Sequence, residues 1–318
     1  MNKSLKVGVV GTGHMGSYHV RLYSELLNVD LVGIVDINEK QVSRLASQYN
    51  TTSFTDYTKL YDKVEAVSIA VPTSAHYRIG KDFLEAGIHV LIEKPITNKL
   101  EEAKELIELA KEKGLILQVG HVERFNAAVQ ELKKIVKDPL FIECRRLGPY
   151  NRRINDTGVV LDLLIHDIDI VLGLVDSQIK EINVAAKSIY SEYEDIANVQ
   201  LIFDNGCIAN LTASRVTEDK IRTLAITQPD AYVALDYAEQ ELHIYRQGTS
   251  EYIISREAVG YKQESFIERI FVHKDNPLKL ELLHFVNCVS NKTSPLTSLE
   301  EELKALAVTL QIQDKLKL

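Results

Sequence analysis

Residues 5–16, LKVGVVGTGHMG, constrain this chain more than any other stretch. A β-branched run leads into Gly11, Gly13 and Gly16 in GxGxxG spacing, and a helical pattern opens directly after. Gly11 permits a tight turn, Gly13 lets backbone N–H groups approach a pyrophosphate, and Gly16 lets a helix pack closely on a strand. The helix N-terminus adds partial positive charge for the anion. The whole turn, Gly11, Thr12, Gly13, His14, Met15 and Gly16, is therefore a candidate dinucleotide seat. Asp36 ends the second strand-like run, 20 residues beyond Gly16, where a carboxylate can accept both hydroxyls of an adenine ribose. That carboxylate would repel a 2′-phosphate, and Ile37 and Asn38 bring no cation. NAD is expected over NADP.

From Leu5 to about Val119, short β-branched runs (LKVGVV, VDLVGIVD, AVSIAV, IHVLIE, LILQVG) alternate with helical patterns such as KLEEAKELIELAKEKG, where Gly114 reads as a C-cap. Such alternation predicts a parallel sheet covered on both faces, which binds ligands at the carboxyl ends of its strands. Two further strand ends carry candidates for the cofactor site: AVPTSAH, with Pro72, Thr73 and His76, and IEKP, with Glu93 and Lys94. Pro95 biases Lys94 away from helical geometry and directs its side chain. From Phe141 to Ile254 the pattern changes. FIECRRL, IKEINVAAKSI, NVQLIF, CIANLTAS, AYVALDY and ELHIYR follow one another across short turns, FDNGC among them, and predict an antiparallel sheet. The last forty residues return to helical periodicity, with Ser298 and Glu301 in capping-box spacing. The fold class is α/β, with domains at 1–121 and 122–318 and the C-terminal helices as candidates to pack back on the first domain.

VLDLLIHDID, residues 160–169, is an apolar helical run carrying titratable groups. At about 100° per residue, His166 lies about 40° round from Asp162 and Asp169 about 20° to the other side of Asp162, whereas Asp167 points away. Histidine titrates near neutrality, so His166 can take the proton of an alcohol, and Asp162 can hold a second hydroxyl or the imidazole. Asp169 orients His166 or closes the helix against another element. A metal on this face is not expected, because no further ligand cluster is evident and hydride transfer needs none.

This ordered series, GxGxxG, an acid ending the second strand, AVPTSAH, EKP and Asp162–x3–His166, resembles the Gfo/Idh/MocA oxidoreductases over essentially the full chain. The resemblance implies a Rossmann domain followed by an α/β domain on a large, mostly antiparallel open sheet. It also implies that Lys94, Asp162 and His166 face the nicotinamide, and that the chain forms a homo-dimer or homo-tetramer. One departure is that DTGVVLD has only Gly158 where many members have several glycines. VGHVERFN, RRLGPYNRR and DLLIHDIDIVLGLV are similar to the branch acting on UDP-N-acetylhexosamines, implying oxidation of UDP-N-acetylglucosamine at C3. A free cyclic polyol is the alternative substrate, and an NAD-dependent glycosidase the alternative activity.

His121 and Arg124 either line the boundary between cofactor and substrate or cap a domain junction. The basic island Arg145, Arg146, Arg152 and Arg153 stands out in a chain of net charge −8. Adjacent Arg145 and Arg146 in a strand point to opposite faces, so one of them, here assigned to Arg146, can enter a pocket and bind a diphosphate. The alternative is a solvated or subunit-contacting surface. Arg215 is a weaker candidate for the same task. The acidic balance argues against nucleic acid, and no apolar run approaches a membrane span. The start has no signal-peptide core, and Cys144, Cys207 and Cys288 are scattered, so a cytoplasmic location is expected.

Overall fold

The computed structural model describes residues 4–151, 157–255 and 258–316. Along the chain come β1 (Leu5–Val10), α1 (His14–Glu25), β2 (Val29–Val35), α2 (Glu39–Tyr49), β3 (Thr52–Phe54), β4 (Ala66–Ile69), α3 (His76–Glu85), β5 (His89–Glu93), α4 (Leu100–Lys113) and β6 (Leu117–Gly120). There follow α5 (Ala127–Ile135), β7 (Phe141–Leu147), α6 (Ile165–Leu174), β8 (Ile179–Lys187), β9 (Ile196–Phe203), β10 (Ile208–Ser214), β11 (Ile221–Gln228) and β12 (Ala231–Asp236). The chain closes with β13 (Glu241–Ser255), β14 (Ala258–Ile270), α7 (Pro277–Asn291) and α8 (Leu299–Leu316). Two compact units result: Met1–Phe125 with Asn276–Ala307, and Asn126–Asp275 with Val308–Leu318.

In the first unit six parallel strands run in the order β3-β2-β1-β4-β5-β6. The order reverses between β1 and β4, which makes the carboxyl ends of those two strands the ligand crevice of a doubly wound sheet. Strands β4 and β6 are buried at every position, as a sheet covered on both faces requires. Helix α7 belongs to this unit, and its Leu278, Leu282, Phe285 and Val286 share one core with Val7 and Val9 of β1, Val20 and Tyr23 of α1, and Ile34 of β2. Gly114 takes the left-handed conformation expected of a C-cap.

The second unit is built on an eight-stranded sheet, β14-β13-β12-β11-β7-β10-β9-β8. Neighbours are antiparallel except β7 and β10, which pair in parallel. Burial alternates along β7 and β9, so one face of the sheet meets the core formed with α5, α6 and the end of α8. Two strands go beyond the six read from the sequence. In β11 the apolar residues Ile221, Leu224 and Ile226 do not alternate cleanly, and β14 is rich in charge, so neither shows a clear two-residue period. The FDNGC turn joins β9 to β10, but only Gly206 has positive φ (86°), and Gly206 N–H closes on Phe203 O at 2.9 Å. This is the three-residue hairpin with a left-handed glycine, not the two-residue form. Among the described residues no helix is long and apolar enough to cross a membrane.

Candidate active site

The first unit brings its candidates to the carboxyl ends of the strands. Gly11 adopts φ 90°, and a Cβ there would lie 2.3 Å from Ala70 O at the end of β4. A Cβ on Gly16 would lie 1.9 Å from Gly11 O. Both positions are closed to any side chain. A Cβ on Gly13 would meet nothing within 4 Å, and Gly13 is the N-cap of α1, with no acidic residue in the first turn. The helix therefore presents its first N–H groups to open space, which fits the pyrophosphate of a dinucleotide. Asp36 is oriented by the same turn: Oδ2 accepts from Thr12 N at 2.7 Å and Thr12 Oγ1 at 2.8 Å, and Oδ1 accepts from Asn38 N at 2.9 Å. His14 is exposed, edge-on to Tyr18, whereas Met15 packs on the core. Pro72 is exposed and Thr73 half-buried in a short turn after β4, and half-buried Lys94 follows β5. The Lys94–Pro95 peptide is cis.

Four other sequence candidates of this unit turn inward instead. His76 is buried, with Nδ1 2.9 Å from Pro95 O and Nε2 2.9 Å from Val71 O, and burial holds its pKa down although both carbonyls favour the charged ring. Glu93 is buried and accepts from His19 Nε2 at 2.9 Å, while His19 Nδ1 meets the Ser68 hydroxyl at 2.7 Å. His121 pairs through Nε2 with Glu302 at 2.6 Å, both side chains being almost fully buried. Arg124 Nη1 reaches Glu301 at 2.8 Å. Glu301 thus spends its carboxylate on Arg124, so of the expected capping box the bond from Glu301 N to Ser298 Oγ, at 3.2 Å, is the half that stands. These residues fix the strand ends and the C-terminal helices. His19 and Glu302 carry no motif that would have marked them, and the capping box marked Glu301 only as a helix start, because these pairings depend on helices returning from elsewhere in the chain.

In the second unit Asp162 and His166 are half-buried and lie on consecutive turns. The first of these is not an ordinary α-turn. Val160–Leu164 is π-helical, with Ile165 N bonded to Val160 O, and α6 continues from it. Wider turns of this kind recur at functional sites, and the winding differs from the uniform 100° steps read from the sequence. Asp167 and Asp169 are buried. Asp167 holds Arg146: Nε donates to Oδ2 at 3.0 Å and Nη2 to Oδ1 at 2.8 Å. The pair is 2% and 1% exposed, and the Tyr237 ring lies 4.9 Å from the guanidinium carbon. This is a correction for Arg146, whose guanidinium fork is engaged with Asp167 inside the unit instead of facing a pocket. Arg145 is exposed on the other face, as strand alternation requires, and Arg152 and Arg153 lie outside the described residues. Arg215 is also engaged internally, through Asp195 at 2.7 Å.

Comparison with known proteins adds to this geometry. The model of an oxidoreductase family with an NAD-binding Rossmann fold, Gfo/Idh/MocA, matches residues 5–121, and the model of that family's C-terminal domain matches residues 136–229. UDP-N-acetylglucosamine 3-dehydrogenase of Acidithiobacillus ferrooxidans is 32% identical over 283 residues, covering 85% of this chain and 90% of that protein. A solved structure of that enzyme superposes with a TM-score of 0.88 at 30% identity, covering 98% of this chain and 97% of the other. The scyllo-inositol 2-dehydrogenase (NAD(+)) of Bacillus subtilis is 26% identical over 319 residues, with 94% of this chain and 90% of that protein covered.

Proposed function

The chain belongs to the Gfo/Idh/MocA oxidoreductase family, and from that premise we propose that it oxidises a ring hydroxyl of a nucleotide sugar, UDP-N-acetylglucosamine at C3, to the 3-keto sugar. The observation that carries this reading is the similarity, along nearly the whole of both chains, to a UDP-N-acetylglucosamine 3-dehydrogenase. NAD is the cofactor, held by the turn at Gly11–Gly16 and by Asp36. When bound, it supplies the hydride acceptor. The chain's own residues do the rest. His166 takes the proton of the reacting hydroxyl, and Lys94 stabilises the alkoxide that develops as the proton leaves. Asp162 accepts a hydrogen bond from a neighbouring ring hydroxyl. Of the other candidates, His14, Pro72 and Thr73 are placed along the cofactor. His76, Glu93, His121, Arg124 and Arg146 serve as positioning residues, because polar atoms of each are engaged within their own units.

A free cyclic polyol is the second reading. It is favoured by the similarity to an inositol dehydrogenase and by the engagement of Arg146 with Asp167, which leaves a diphosphate without the guanidinium expected for it. Incubation with NAD and a panel of UDP-sugars and inositols, following NADH absorbance with a carbonyl trap present, separates the two. UDP-N-acetylglucosamine should give net NADH, which a glycosidase that recycles its cofactor would not. Lys94→Ala and His166→Ala should each lower the rate by about 10²-fold or more while NAD binding survives. Near-full turnover by His166→Ala beside an inactive Lys94→Ala would make Lys94 the base. Turnover of inositol with no response to any UDP-sugar would overturn the nucleotide-sugar reading. Assembly as a homo-dimer or homo-tetramer is proposed with it, supported by the cross-strand row of exposed Tyr232, half-buried Tyr245 and exposed Ile267, and light scattering in solution reads it directly.

A further inference from the structure

The turn that carries Asp162 is held by a residue that belongs to no motif. Val160 N–H donates to Glu194 Oε1 at 3.1 Å, and Val159 N–H to the Glu194 backbone carbonyl at 3.0 Å. Glu194 comes from the segment between β8 and β9, more than thirty residues further along the chain. The first N–H groups of a helix have no partner within it, and a carboxylate there both accepts their hydrogen bonds and meets the positive end of the helix dipole. Space for it exists because residue 158 is glycine: a Cβ on Gly158 would lie 2.0–2.2 Å from the Glu194 carboxyl atoms.

Glu194 does not reach this place on a loose loop. The neighbouring Asp195 is fully buried and accepts from the backbone N–H groups of Ile189 at 2.7 Å, Tyr190 at 2.6 Å and Ser191 at 3.1 Å. It also accepts from the Ser191 hydroxyl at 2.9 Å and from Arg215 Nε at 2.7 Å. Arg215 in turn donates through Nη1 to Thr157 O at 2.9 Å and through Nη2 to Ser191 Oγ at 2.8 Å. Burial opposes the charge on Asp195, yet these backbone bonds and the guanidinium hold its carboxyl well below the usual carboxylate range. The knot ties the segment bearing Glu194 to the backbone just ahead of Gly158.

We propose that Glu194 is a positioning residue for the reaction, a cap delivered from a distant segment that sets the height and rotation of the π-turn and so aims Asp162 and His166. This rests on the reading of Asp162 and His166 as reacting groups. Gly158 is its complement, the one residue type that admits the cap. The expected acceptor is an oxygen rather than a charge, so an amide serves nearly as well.

The test uses the full-length chain with NAD and UDP-N-acetylglucosamine. Glu194→Ala and Gly158→Ala should lower kcat about tenfold or more, as small displacements of reacting groups do. NAD affinity should stay unchanged, and the deuterium isotope effect with C3-deuterated sugar should rise as hydride transfer becomes limiting. Glu194→Gln should recover turnover to within about threefold, because it keeps the oxygen acceptor. Independently of turnover, amide hydrogen exchange at Val160, whose acceptor is the Glu194 side chain, should quicken about tenfold in Glu194→Ala and not in Glu194→Gln, the scale of a lost cap. Unchanged exchange in Glu194→Ala overturns the cap itself. Quickened exchange with kcat within twofold of wild type, while His166→Ala is inactive, overturns the positioning role and leaves the reacting pair standing. Full turnover by both Asp162→Asn and His166→Ala removes the pair and the positioning role together.

Discussion

A buried arginine paired with a buried aspartate is a different object from an arginine waiting for a phosphate. Arg146 and Asp167 are bonded twice, both nearly inaccessible, with Tyr237 against the guanidinium. Desolvation of two charges offsets much of their attraction, but removal of one partner strands the other without compensation. Arg146→Ala should therefore cost about 3–5 kcal/mol, whereas Arg146→Met with Asp167→Leu should cost much less, because no charge is left buried. Urea unfolding of the three chains checks this, and a single variant no less stable than the double one would refute it. The consequence for catalysis is indirect. Asp167 adjoins His166, so the pair fastens α6, which carries the proposed base, to β7. Sequence alternation correctly sent Arg145 and Arg146 to opposite faces, yet it could not say which side was the pocket and which the core. That distinction depends on Asp167, whose outward angle in a helical projection conveys nothing about a strand packed beneath it.

At the level of elements, the parallel half was legible because β-branched runs, glycine turns and helix caps repeat at short range, and Gly11, Gly13, Gly16 and Asp36 fall within forty residues. The π-turn at Val160–Leu164, the strands β11 and β14, and the place of α7 were not, since each is decided by contacts far away in sequence. Helix α7 shows the physical cost of such a contact. Its Glu281 is fully buried in the first unit, and burial together with the charges of Glu93 and Glu302 pushes its carboxyl well above the ordinary carboxylate range. Above the unfolded value, about 4.3, the folded chain keeps a proton that the unfolded chain has lost. Unfolded chains then bind fewer protons, so stability falls as pH rises through that window towards the raised folded value. Glu281→Gln keeps the shape and removes the titration. It should flatten the alkaline decline and leave the variant more stable than wild type at high pH, with the two converging below about pH 4. Urea midpoints taken across the pH range measure it, and equal slopes for both chains would show that Glu281 is ionised in the fold.

For the whole molecule, the consequence of α7 is that the nucleotide-binding unit is not a contiguous stretch of sequence. Its sheet ends at Gly120, but its core is completed by residues after Asn276. Leu282, Phe285 and Val286 are fully buried among side chains of β1, α1 and β2. Loss of one large core side chain costs about 2–5 kcal/mol, and a domain of this size has about 5–15 kcal/mol in total. Omitting α7 removes several at once and exposes the apolar surface they cover. Residues 1–125 alone should therefore show no cooperative thermal transition and no response to NAD. The same residues joined through a flexible linker to 276–307 should melt cooperatively. In that chain, NAD at about 100 times its Kd should add about 2.7 kcal/mol, read as a raised Tm, because ligand binds the folded state alone. NADP at the same concentration should add less, on the proposal that the Asp36 carboxylate meets the adenine ribose and would repel a 2′-phosphate. A cooperative, NAD-responsive transition in residues 1–125 without α7 would show that the glycine turn and its six strands suffice. The opposite outcome is expected from the shared core, in which Phe285 and Leu282 of α7 are buried together with Val20 and Tyr23 of α1 and with Val7 and Val9 of β1.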